Sequence, residues 1–179
     1  MLDHGSLVGP YGNELMKLHW KPNQDRRGIG RGVSMANHIA ITVSDVGASA
    51  TFYSHVLGLQ QIERPNFDRH GAWFTLGNVE LHLIKGIPRV ADGDDLIVSH
   101  IALESDDVDS VVKKLRAMVP AVDFQINVSV PTANEKDIVD QIFIRDPDGY
   151  YIEIGNSTVL TKFVLGLDLY DSFKNGSRF

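Results

Sequence analysis

The sequence predicts an α+β fold, with two βαβββ modules forming one open, curved mixed sheet and the helices outside it. Three observations lead there. From Asn37 onward the apolar periodicity reads as one strand, one helix and three strands, and then as the same order again. The unit also repeats in its residues: His38-Ile39-Ala40-Ile41 returns as His100-Ile101-Ala102-Leu103, and Asp45-Val46 as Asp107-Val108, both 62 residues later. The second unit closes with a tight turn, Asp146-Pro147-Asp148-Gly149, and an alternating strand. Each copy needs the other to bury its apolar face.

Composition narrows the function classes. A chain of 179 residues with 43% apolar and 22% charged residues suits one ordinary soluble domain. A net charge of -6 without a basic, aromatic-rich stripe argues against a nucleic-acid partner. No apolar run reaches the ~18 residues of a membrane span, and the N-terminus lacks the order of a secretory signal. A cytoplasmic location is therefore the default expectation. With no cysteine there is no disulfide framework and no thiolate ligand or nucleophile.

Residues 1–35 read as an extension, with a linker at residues 26–32 whose glycines lack the strand-turn-helix setting of a phosphate loop. The body spans residues 36–156, its modules residues 37–86 and 98–155. The first strand alternates, with Ile39, Ile41 and Val43 opposite His38, Ala40, Thr42 and Ser44. Asp45 suits a helix N-cap, Val46, Ala50, Tyr53 and Leu57 keep helical spacing, and Gly58 suits a left-handed cap. Strands are expected at 59–64, 72–76 and 79–85. In the second module Val108, Val111, Val112, Leu115 and Val119 form a helical stripe stopped by Pro120. Strands at 122–128, 138–145 and 150–155 follow. From Val159 to Leu167 apolar residues again keep helical spacing, so residues 157–179 read as a helical tail.

Strand parity gathers the polar groups. His38, Glu80 and His82, His100, and Glu153 each lie on the polar face of a strand whose other face is apolar. A single strand histidine is ordinarily a satisfied or exposed residue, and two at matching repeat positions can reflect duplication alone. Here repeat position, face parity and the carboxylate after the turn agree. If the repeats share one curved sheet, the groups converge, and two imidazoles, a carboxylate and one further N or O donor suit a divalent first-row metal such as Ni, Co, Mn, Fe or Zn. Trp73 and Phe143, the latter sharing a strand face with Gln141 and Arg145, are candidates for an apolar substrate wall, although barrel filling explains them equally well.

At these residues the chain resembles the vicinal oxygen chelate superfamily, which includes glyoxalase I, bleomycin- and fosfomycin-resistance proteins, methylmalonyl-CoA epimerase and extradiol dioxygenases. The marks are His38-Ile39-Ala40 leading to Asp45, Phe52-Tyr53 with Leu57-Gly58-Leu59, His100-Ile101-Ala102, and Asp146-Pro147-Asp148-Gly149 before Glu153. The resemblance implies an open barrel and one divalent metal held by His38, His82, His100 and Glu153, with Glu80 a neighbour or rival of His82. It also implies a small-molecule substrate chelated through two oxygens, Glu153 as catalytic base, and a homodimer. Glyoxalase I carries an arginine where Thr42 stands and a glutamate where His82 stands, so lactoylglutathione isomerisation is not implied. The expected activity is a metal-dependent lyase or isomerase of glyoxalase type. The alternatives are a non-haem Fe(II) dioxygenase on the same fold and a non-catalytic small-molecule-binding or interaction member.

Overall fold

The computed structural model describes residues 7–8, 14–15, 32, 36–66, 70–90, 98–129 and 138–157. The helical spacing from Val159 onward and most of the linker expected at residues 26–32 lie outside the described residues. In the N-terminal extension β1 (Leu7–Val8) and β2 (Glu14–Leu15) pair antiparallel.

The first module comprises β3 (His38–Val43), α1 (Val46–Thr51), β4 (Gln60–Ile62), β5 (Gly71–Thr75) and β6 (Glu80–Lys85). The second comprises β7 (His100–Glu104), α2 (Val108–Ala117), β8 (Phe124–Ser129), β9 (Val139–Arg145) and β10 (Tyr151–Gly155). Each module makes a four-stranded mixed sheet, in the orders β3-β6-β5-β4 and β7-β10-β9-β8. In both, the first strand runs parallel to the last and the other neighbours are antiparallel. This is the doubled βαβββ architecture the repeat predicts.

The caps form as their chemistry requires. Asp45 accepts from the Ala48 N–H at 2.9 Å and Asp107 from the Ser110 N–H at 2.9 Å, satisfying donors that a helix start leaves open. The Ala48 bond, the largest influence on it, holds the exposed Asp45 carboxyl below its ordinary value. Gly58 has φ 71°, the left-handed conformation expected at the helix end.

Two helix details differ from expectation. The first helix widens into a π turn at Phe52–Val56, setting the neighbouring Phe52 and Tyr53 both into the core. The second stops at Ala117 with Met118 already extended, so Val119 stands 98% exposed instead of completing the apolar stripe. Proline disfavours helical backbone in the residue before it, and the helix ends ahead of that residue.

One apolar cluster takes residues from both modules. It includes Val43, Tyr53, Phe74, Leu81 and Leu83 from the first and Leu115, Ile142, Ile144, Ile152 and Ile154 from the second. The polar face of each sheet is therefore turned away from this shared core.

The turn after β9 fastens the modules together. Asp146 is buried; its Oδ1 accepts from the N–H groups of Asp148 and Tyr150, each at 2.9 Å, and its Oδ2 accepts from the Tyr53 hydroxyl at 3.0 Å. Asp148 accepts from the Ser44 N–H at 2.9 Å and from the Ser44 hydroxyl, and the Tyr150 hydroxyl donates to the Thr42 carbonyl at 3.0 Å. Gly149, at φ 94°, closes the turn by donating to the Asp146 carbonyl at 3.0 Å.

Tyr53→Phe removes one donor from a buried carboxylate and is expected to cost about 1–3 kcal/mol in urea unfolding. Burial outweighs these hydrogen bonds and raises the Asp146 carboxyl above its ordinary 3.8. Its contribution to stability is then largest below pH 3.8 and is lost as pH rises through the raised native value. Unfolding measured across this window should show the native chain losing stability relative to Asp146→Asn as pH rises, then running parallel to it. Ser49, fully buried in α1, has a hydroxyl without a hydrogen-bond partner among the described residues. Ser49→Ala is expected to stabilise by roughly 1 kcal/mol, read from the same curves.

Candidate metal centre

Register aligns the two polar faces residue for residue. In the first sheet Trp73 lies opposite His82, and His82 opposite Ala40, two residues along from His38. In the second, Phe143 lies opposite Glu153, and Glu153 opposite Ala102, two residues along from His100. His82 and Glu153 therefore occupy the same place in their modules, as do Trp73 and Phe143. Glu80, opposite His38, corresponds to Tyr151, opposite His100. Between Glu80 and His82, the position matching Glu153 is that of His82.

In the first module the His82 ring is sandwiched. Trp73 stacks on it at 3.9 Å between centroids with 3° between planes, and His38 stacks at 4.2 Å with 11°. His82 is 7% exposed, and its Nε2 donates to Glu80 Oε2 at 2.7 Å. Glu80 thus engages one ring nitrogen and leaves Nδ1 as the other. The exposed His38 contacts Asn37 Oδ1 through Nδ1 at 2.7 Å.

In the second module the protonation pattern is decided by the partners. His100 Nδ1 lies 2.8 Å from the Val98 carbonyl, which can only accept, so Nδ1 carries the proton. Its Nε2 lies 3.0 Å from Glu153 Oε2. Two acceptors hold that distance only with a positive centre, a proton or a cation, between them. The donor set of the pair, an imidazole nitrogen and a carboxylate oxygen, is of the kind that would hold a divalent first-row metal. Glu153 is 5% exposed, and its Oε1 accepts from Gln141 Nε2 at 2.9 Å. Phe143 meets the His100 ring edge to face at 5.7 Å.

The sequence-derived set is thus gathered as two pairs, His38 with His82 and His100 with Glu153, on separate sheets. Among the described residues no group of three or more His, Asp or Glu is disposed within one chain to hold a metal ion. The link from Gln141 to Glu153 was not singled out from sequence. Its only signal there was that Gln141 shares a strand face with Phe143. No helix of the described residues is long and apolar enough to cross a membrane.

Loss of the stack is expected to loosen the first pair. Trp73→Ala should leave the fold cooperative but broaden the His82 ring signals in NMR spectra, because the ring keeps its contacts with His38 and Glu80 but loses one face of its stack.

Comparison with known proteins gives a consistent picture. Residues 36–154 match the Glyoxalase/Bleomycin resistance protein/Dioxygenase superfamily. The chain is similar to Glyoxylase I 4 of Arabidopsis thaliana, at 32% identity over 130 residues covering 67% of this chain and 69% of that protein. It is also similar to the metallothiol transferase FosB of Lysinibacillus sphaericus, at 32% identity over 152 residues covering 79% and 93%. The crystal structure of the fosfomycin resistance protein FosX from Listeria monocytogenes shares the fold, with a TM-score of 0.52 and 17% identity over 69% of this chain and 93% of that one.

Proposed function

The chain belongs to the glyoxalase/bleomycin resistance protein/dioxygenase superfamily, and from that premise we propose that it is a divalent-metal-dependent enzyme of glyoxalase type acting on a small molecule through two neighbouring oxygens. The observation that supports this reading is His100 Nε2 facing the buried Glu153 Oε2 at 3.0 Å, with Nδ1 donating to the Val98 carbonyl. A cation between the two atoms, in place of a second ring proton, satisfies both, and a set of imidazoles and carboxylate without thiolate suits Ni, Co, Mn, Fe or Zn.

His38, His82, His100 and Glu153 are the proposed ligands. Their two pairs lie on separate sheets, and a homodimer that brings the first pair of one copy to the second pair of the other supplies the full set. When bound, the ion acts as a Lewis acid toward a carbonyl and its neighbouring oxygen. Glu153 is the proposed general base, taking a proton from the carbon beside that carbonyl. Trp73 and Phe143, at matching register positions, form the apolar wall that excludes water and orients the substrate.

A second reading, transfer of a thiol to a small electrophile, is favoured by the similarity to a metallothiol transferase over 79% of this chain. Consumption of free thiol during turnover distinguishes it from isomerisation. Uptake of oxygen would mark the Fe(II) dioxygenase alternative.

Metal analysis of the purified full chain tests the shared premise. About one divalent ion per chain is expected, lost in His38→Ala and in Glu153→Gln. Unchanged metal content in both variants contradicts the site. For the homodimer, a mixture of His38→Ala/His82→Ala chains with His100→Ala/Glu153→Gln chains should regain metal that neither binds alone; no recovery from a mixed dimer contradicts the sharing.

A further inference from the structure

We infer that Gln141, backed by Asn127, is a positioning residue that fixes Glu153 as a single-oxygen ligand, an inference that rests on the metal-binding reading above. The three side chains form a chain of hydrogen bonds across β8, β9 and β10. Asn127 Nδ2 donates to Gln141 Oε1 at 2.8 Å, and Gln141 Nε2 donates to Glu153 Oε1 at 2.9 Å. The direction follows from chemistry. A carboxylate only accepts, so the Gln141 NH₂ must face Glu153, which leaves the Gln141 oxygen to face the Asn127 NH₂. With Oε1 so engaged, Oε2 is the oxygen presented to His100 Nε2 at 3.0 Å.

Register explains why this link exists only in the second module. Gln141 lies opposite Gly155 on β10 and opposite Asn127 on β8. Gly155 leaves open the space that Gln141 crosses: a Cβ there would come within 2.8 Å of the Asp140 carbonyl oxygen and 3.4 Å of Gln141 Cγ. In the first module the place of Gln141 belongs to Gly71, where a Cβ would lie 2.3 Å from the Leu83 carbonyl oxygen, so no side chain fits. His82 is held instead by Glu80 and by the rings stacked on it. The two ligand rows are thus oriented by different devices, an amide relay on one side and a carboxylate with an aromatic sandwich on the other.

Hydrogen-bond partners of metal ligands typically govern affinity by 10–100-fold. The test titrates metal-free full-length protein with Co(II) alone, followed by calorimetry and the visible absorption of the bound ion. Gln141→Met keeps the length and removes the donor. It is expected to weaken Co(II) binding by about 10–100-fold, and to lower the thermal midpoint of the metal-free protein because the buried Glu153 Oε1 loses its donor. The visible band should also shift, because Glu153 Oε1 becomes able to join the coordination; a role in packing alone would not move that band. Asn127→Ala, at an exposed position, should weaken binding in the same direction by less and add nothing on top of Gln141→Met. Binding within about twofold of wild type and an unshifted band in Gln141→Met, while Glu153→Gln loses Co(II), overturn this inference and leave the metal site standing. Full Co(II) binding by Glu153→Gln overturns the metal reading and this inference with it. Should Gln141→Met fail to fold, Asn127→Ala decides: unchanged affinity and band overturn the relay.

Discussion

Everything distinctive about this chain turns on the position of one carboxylate. Glu153 is 5% exposed in a central strand, where an unpaired charge is among the most destabilising things a fold can contain. Its two oxygens find different partners: one accepts from the Gln141 amide, and the other meets Nε2 of His100, whose Nδ1 donates to the Val98 carbonyl. The second contact is favourable only with positive charge between the atoms.

Putting Glu153 there depends on the turn that precedes it. Asp146 collects two backbone N–H groups of its own turn and the hydroxyl of Tyr53 from the opposite module. Asp148 and Tyr150 add bonds to Ser44 and to the Thr42 carbonyl. This cluster sets where β10 begins relative to the end of β3. β10 then pairs with β7 in register, Tyr151 opposite His100 and Glu153 opposite Ala102. Burial opposes the charge on Asp146 and its hydrogen bonds favour it. The junction is therefore sensitive to changes that would be harmless on the surface.

How much of this was legible in the sequence follows from the range of each interaction. The period of two along a strand assigned faces to His38, His82, His100 and Glu153, because face assignment needs only local alternation. The N-caps at Asp45 and Asp107 and the left-handed Gly58 were legible for the same reason: each acts within one turn of chain. The duplication supplied the element order, whereas the pairing of each last strand with its module's first is seen only in the sheets. What stayed hidden depends on register between strands or on contact between modules. Parity put Gln141 on the right face, but only the pairing of β9 with β8 and β10 puts its amide between Asn127 and Glu153. Gly155 looked like the end of a strand, whereas its missing side chain is what leaves room for that amide. Tyr53 read as a core aromatic of the first helix, and its hydroxyl instead serves a turn far along the chain. Val119 kept helical spacing on paper, but the proline after it ended the helix sooner.

Diffraction from crystals of the full chain grown with Co(II), recorded at the cobalt absorption edge, tests the central claim most directly. The account predicts an anomalous peak within bonding distance of both His100 Nε2 and Glu153 Oε2, at about 2.0–2.2 Å from each, with Gln141 still on Glu153 Oε1. A peak elsewhere, or none beside that pair with cobalt in excess, would contradict it.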